Sequence, residues 1–127
     1  MQTQKQFDQL SRLRRALREH LEDLEKSLEI AFGRGPMVKG NVYELARKCG
    51  KANCACTRGE LHRSMVLTWS HEGKSKLYSI PPERLSALQE KSAEYLRFRR
   101  ARARVTEICK KILGVLDRIE KLRREKP

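Results

Sequence analysis

The chain has 127 residues, of which 35% are charged and only 6% aromatic, and its formal net charge at pH 7 is +13. That length suits one domain or a small module with helical extensions, and so few aromatics among so many charges favour long helices with a narrow apolar seam over a large globule. No apolar stretch approaches the ~20 residues that span a bilayer, and the opening MQTQKQFDQL lacks the apolar core of a secretory signal, so the expectation is a cytoplasmic protein with no membrane partner.

Residues 5–32 read as an amphipathic helix. Leu10, Leu13, Leu17, Leu21, Leu24, Leu28 and Ala31 recur in steps of three and four, with Glu and Arg on the remaining faces. His20 is expected to face solvent. Gly33-Arg34-Gly35-Pro36 breaks the helix.

Residues 37–80 change character. Val42-Tyr43-Glu44-Leu45, Met65-Val66-Leu67-Thr68-Trp69 and Lys76-Leu77-Tyr78-Ser79-Ile80 are short β-branched or aromatic runs, which predicts three strands. Ser70-His71-Glu72-Gly73-Lys74 predicts a hairpin connection, with Gly73 free to take positive φ.

Pro81-Pro82-Glu83 opens a second helix that can run to about Arg124, with proline in the first turn and Glu83 at the positive end of the dipole. Val105, Ile108, Ile112, Val115, Ile119 and Leu122 form its seam. Leu85, Leu88, Tyr95, Leu96 and Phe98 make a less regular start, with Ser92 and Arg99 at seam-like positions. Cys109, beside Ile108, is expected to be a small apolar filler near the seam. Gly114 weakens the helix without ending the pattern.

The predicted fold is α+β: two long antiparallel, coiled-coil-like helices flanking a small three-stranded β insertion with a zinc-binding loop. The segments are 1–36, 37–80 and 81–127, together one domain.

The densest chemistry lies in CGKANCACTRGELH. Cys49, Cys54, Cys56 and His62 have the spacing C-x4-C-x-C-x5-H. Three thiolates and an imidazole suit a tetrahedral Zn²⁺, and four protein ligands make such a site structural. Gly50 and Gly59 permit tight turns around the ion, and Lys48 and Lys51 offset the net negative charge of three thiolates on one Zn²⁺. Free thiols, or a Cys49–Cys54 disulfide, are the alternatives, and His71 is a substitute for His62 as fourth ligand.

The run KGNVYELARKCGKANCACTRGELH, a Trp69-bearing strand, Gly73-Lys74 and Tyr78-Ser79-Ile80-Pro81 resemble an uncharacterised family of small bacterial and phage-type proteins. The resemblance covers about residues 37–83 and rests on Val42, Tyr43, Glu44, the stretch Arg47-Lys48-Cys49-Gly50-Lys51, Cys54, Cys56, Gly59 and His62. The family usually follows the histidine with Gly-Pro-Tyr, where this chain has Arg63-Ser64-Met65, and often has proline where Ala52 stands. The resemblance implies a bacterial or phage-infected cell and an association with mobile elements, and it supplies no established activity.

Charge is unevenly distributed. Residues 1–36 hold seven basic and six acidic side chains, residues 37–80 eight and three, and residues 81–127 fourteen and seven. Arg47, Lys48, Lys51, Arg58 and Arg63 crowd the cysteine loop. In RFRRARAR, Arg97, Arg100 and Arg104 share one helical face, and Arg12, Arg15 and Arg18 form another stripe. Such groups bind phosphates through charge-assisted contacts. Salt bridges from these arginines to Glu19, Glu22, Glu25 and Glu29 are the competing use.

No Ser/His/Asp set, paired carboxylates, Gly-rich phosphate loop or H-E-x-x-H pattern occurs. The expected function is therefore non-enzymatic nucleic-acid binding, DNA before RNA, as an accessory in recombination, transposition or phage biology. The alternative is an interaction adaptor that uses its heptad helices as a homodimer or with a helical protein partner.

Overall fold

Thr3 starts the first element. In the computed structural model, which describes residues 3–127, its hydroxyl accepts from the Gln6 backbone N–H at 3.2 Å and its own N–H donates to the Gln6 side chain at 2.7 Å. This reciprocal cap satisfies two donors that a helix end leaves open and begins helix α1, Gln4–Ala31. Strand β1, Asn41–Arg47, follows, then a 3₁₀ turn at Ala55–Arg58 and strands β2, His62–His71, and β3, Lys74–Ser79. Helix α2, Pro82–Arg123, has Pro82 and Glu83 in its first turn and Lys121 and Arg123 in its last, as the dipole favours. The strands form one antiparallel sheet in the order β1-β2-β3. Two helices flanking a three-stranded sheet make the fold α+β, as expected.

The chain forms two compact units, and α2 contributes to both. One unit is Gly35–Leu96; the other joins the residues up to Arg34 with Arg97–Pro127.

In the first unit the register sets Val42 beside Leu67 and Leu67 beside Tyr78. Leu67 is buried with Ile80 and Leu88, and Val42, Met65, Trp69, Tyr78 and Leu85 pack around them. The apolar face of the sheet thus meets the start of α2. The incoming segment is tied to the same helix. Val38 N–H donates to the Lys91 carbonyl at 3.1 Å, and the buried Ser92 hydroxyl donates to the Gly40 carbonyl at 2.7 Å. Ser92 is therefore a polar residue used inside the core. Glu72 and Gly73, with φ of 52° and 78°, form a two-residue turn of the type that matches strand twist. The strands extend past the predicted apolar runs, because β pairing of the backbone carries the polar ends Arg47, His62 and His71 as well.

In the second unit α1 and the later part of α2 run antiparallel. Asp23 pairs with Arg104 at 3.5 Å, and Gln9 and Leu13 share a groove with Arg118 and Leu122. On α2 the seam is as predicted from Val105 to Leu122, with Ala101, Ile108 and Val115 buried. On α1 it differs. A run of covered positions steps by three and four through Leu10, Leu13, Leu17, His20, Leu24, Ser27 and Ala31, with Leu28 partly covered beside it. Ser27 is buried, His20 is half-buried rather than solvent-facing, and Leu21 is exposed. Counting leucines favours Leu21, whereas the two-helix geometry selects His20 and Ser27 whatever their polarity; Leu28 is partly covered, as expected. Cys109 is also exposed and is not a filler; one residue past Ile108, it is turned about 100° away from the seam.

Candidate metal centre

The cysteine loop joins the open ends of β1 and β2. Arg47 and His62 are the last paired residues, so Cys49 lies two residues beyond one strand and His62 begins the other. Cys54 precedes the 3₁₀ turn and Cys56 lies within it. Hydrogen bonds shape the turn: Cys54 N–H donates to the Lys51 carbonyl at 3.2 Å, and the Thr57 N–H and hydroxyl donate to the Cys54 carbonyl at 3.1 and 2.8 Å. Gly59, with φ of 102°, ends the turn and releases the chain toward β2.

This path brings together all four residues that the sequence singles out. The ligand atoms of Cys49, Cys54, Cys56 and His62 lie within 4.8 Å of one another. Cys49 Sγ is 3.6 Å from Cys56 Sγ, and Cys54 Sγ is 3.0 Å from His62 Nε2. The Cys49 N–H donates to Cys56 Sγ at 3.4 Å. Cys56 is fully buried, Cys54 partly so, and Cys49 and His62 are exposed. All four cysteines of the chain are free, so Cys49 and Cys54 are not joined. His71 lies at the far end of β2 with its Nε2 3.7 Å from the Glu72 carboxylate; His62 is the histidine of the cluster.

The thiols influence one another. The Lys51 backbone N–H, above all, holds the Cys49 thiol below its ordinary pKa, against a smaller opposing effect of burial. At Cys56 the largest single influence, the Cys49 N–H, is downward. Burial and the neighbouring thiols of Cys49 and Cys54 together outweigh it and raise the pKa. Three sulfurs this close cannot all ionise cheaply without a cation among them. The four residues could hold a metal ion.

Arg47, Lys48, Lys51 and Arg58 are exposed in and beside this loop. Arg63 instead pairs with Glu44 at 2.9 Å. Arg97, Arg100 and Arg104 are exposed on the part of α2 that belongs to the helical unit, where Arg104 pairs with Asp23. The expected partners Glu19, Glu22, Glu25 and Glu29 are not the acid that meets Arg104. Thr57 is a supporting residue that sequence reading passes over; its position three residues after Cys54 is the signal of a hydroxyl that closes a turn. Among the described residues no helix is long and apolar enough to cross a membrane.

No curated protein and no solved structure matches the chain. A family model described as "Domain of unknown function (DUF6788)" matches residues 7–90. The chain belongs to that family. The match contains the whole cysteine cluster and stops short of the arginine-rich stretch of α2.

Proposed function

We propose that this member of the DUF6788 family is a non-enzymatic nucleic-acid-binding protein, with DNA as the first candidate, whose Cys₃His cluster holds one structural Zn²⁺. The observation that carries the reading is the cluster itself, which clamps a loop bearing exposed cations. A tetrahedral ion with Zn–S bonds of about 2.3 Å sets two thiolates about 3.8 Å apart, and Cys49 and Cys56 stand at 3.6 Å. An ion between Cys54 and His62 widens their 3.0 Å hydrogen bond by about 0.5 Å. With Cys49, Cys54, Cys56 and His62 all engaged, no position is open for a reacting water, so the ion organises structure.

Held this way, Lys48, Lys51 and Arg58 project from a fixed loop next to Arg47. A short polar loop of this kind has too little apolar material to order itself, and fixing it lowers the entropy cost of meeting a row of phosphates. The net charge of +13 gives such an encounter its long-range attraction. The resemblance to proteins of mobile elements is the reason to try duplex DNA first and to look for a role in recombination, transposition or phage biology.

Gel shifts with duplex DNA, single-stranded DNA and RNA across a salt series test the reading. Binding that makes six to ten phosphate contacts weakens by about 10³–10⁵-fold between 50 and 200 mM salt. Lys48→Glu with Lys51→Glu is expected to weaken it at every salt concentration, and metal content measured on the same variant separates lost phosphate contacts from a weakened cluster. Absence of a shift with all three nucleic acids at low salt would overturn the proposal.

A further inference from the structure

The cysteine cluster has one sulfur-bearing residue open to solvent and a second, buried one within contact distance of it. Cys49 is exposed, Cys54 is partly covered and Cys56 is fully buried. Cys49 Sγ and Cys56 Sγ stand 3.6 Å apart, and the Cys49 N–H donates to that same Cys56 sulfur at 3.4 Å. The third sulfur, on Cys54, is engaged by His62 Nε2 at 3.0 Å. The fold thus pairs the most accessible thiol of the cluster with the least accessible one. Cys109 is also exposed, but it lies on α2 and outside the cluster.

The chain beside Cys49 has room for a bond to form. The two sulfurs must close by about 1.5 Å to join. Cys49 lies two residues past Arg47, the last paired residue of β1, so the strand ladder does not hold it. Gly50, with φ of 83°, has nothing within 4 Å of its would-be Cβ, which leaves open space for a small shift.

We propose that Cys49 is a site of reversible oxidation by peroxides, with Cys56 as the thiol that resolves it into a Cys49–Cys56 disulfide. In the first step the Cys49 thiolate attacks one oxygen of hydrogen peroxide. An S–O bond forms, the O–O bond breaks and hydroxide leaves with the electron pair, so that Cys49 becomes a sulfenic acid. In the second step the Cys56 thiolate attacks the Cys49 sulfur. The S–S bond forms, the S–O bond breaks and a second hydroxide leaves. Both hydroxides take protons from solvent and become water. The two thiolates have together lost two electrons, and the peroxide has gained them. Exchange with a reducing thiol restores both cysteines.

These steps rest on the cluster geometry alone, whereas their consequence for the loop rests on the metal reading given above. A sulfur in a disulfide is no longer a thiolate ligand, so only Cys54 and His62 remain where a structural zinc site takes four ligands. Oxidation is therefore expected to release the ion and to free the loop that carries Lys48 and Lys51.

Limited peroxide treatment of the purified full chain tests this, read by thiol counting, disulfide mapping by mass spectrometry and a colorimetric zinc indicator. Two of the four thiols are expected to disappear into a single Cys49–Cys56 bond. Zinc should appear in step, and dithiothreitol should reverse the bond. Cys109→Ser, which keeps the whole cluster, is expected to lose two thiols and its zinc as the wild type does. A disulfide to Cys54 as the main product, or Cys49 oxidised further with no disulfide, would refute the proposal. A zinc-loaded chain whose cluster thiols all survive the peroxide would contradict it and leave the metal reading intact. A zinc-free chain that still forms the Cys49–Cys56 bond would support the modification and contradict the metal reading instead.

Discussion

Individual side chains divide this protein into positions chosen by geometry and positions chosen by chemistry. Cys49, Cys54, Cys56 and His62 were legible because soft ligands so close together have few other uses, and the fold brings all four within 4.8 Å. His20 and Ser27 were not legible as seam residues. Polarity argued against them, but on a helix facing one neighbour the alternating three-and-four positions are covered whatever they carry. Cys109 was misplaced for the related reason that a neighbour in sequence lies on a different side of a helix. Two outcomes follow at this scale. Cys56→Ser is expected to lower bound metal below one ion per chain and to lower the melting temperature, whereas Cys109→Ser, exposed and outside the cluster, should alter neither. Elemental analysis and thermal unfolding check both. The cysteines should also differ in reactivity once the metal is removed. The Cys49 pKa is lowered and the group exposed, so more of it is thiolate at neutral pH. Cys56 is raised and buried, so less of it is. Brief alkylation read by mass spectrometry is expected to modify Cys49 first, and the opposite order would contradict the geometry described.

At the level of elements, the helices were readable from their repeat and their punctuation, and the strands from their β-branched and aromatic runs. The ends of the strands were not. Arg47 and His62 pair at one end of β1 and β2 because the backbone ladder continues there, and side-chain hydropathy carries no trace of that. Glycine gives a second contrast. A Cβ at Gly40, where φ is 152°, would stand 2.7 Å from Leu67 Cδ1 and 2.9 Å from the Thr68 carbonyl oxygen. Gly114, in mid-helix, has nothing within 4 Å of its would-be Cβ. Gly40→Ala is therefore expected to destabilise the sheet unit by about 2 kcal/mol or more, since both backbone strain and overpacking oppose it. Gly114→Ala is expected to stabilise the helix by about 1 kcal/mol. Denaturant titrations of the two variants give the signs directly.

Across the whole molecule, charge was visible in the composition but its pairing was not. The arginine-rich stretch of α2 runs beside the acidic half of α1, where Arg104 meets Asp23 at 3.5 Å with both side chains about half exposed. Such a pair contributes roughly 0–1 kcal/mol, yet it reduces the charge that Arg104 can offer a phosphate. At the other end of the same helix pair, Arg12 of α1 shares a groove with Arg118 and Lys121 of α2, and like charges gather there. Arg118→Glu with Lys121→Glu is accordingly expected to weaken nucleic-acid binding more than Arg104→Glu does; gel-shift midpoints at one fixed salt concentration decide the order. Whether one ion orders the loop between β1 and β2 is decided by measuring metal in the purified chain and following amide hydrogen exchange across residues 47–62 before and after chelation. One zinc per chain is expected, with a loss of protection in that segment when the zinc is withdrawn. A metal-free protein in which the same segment is equally well protected would contradict it.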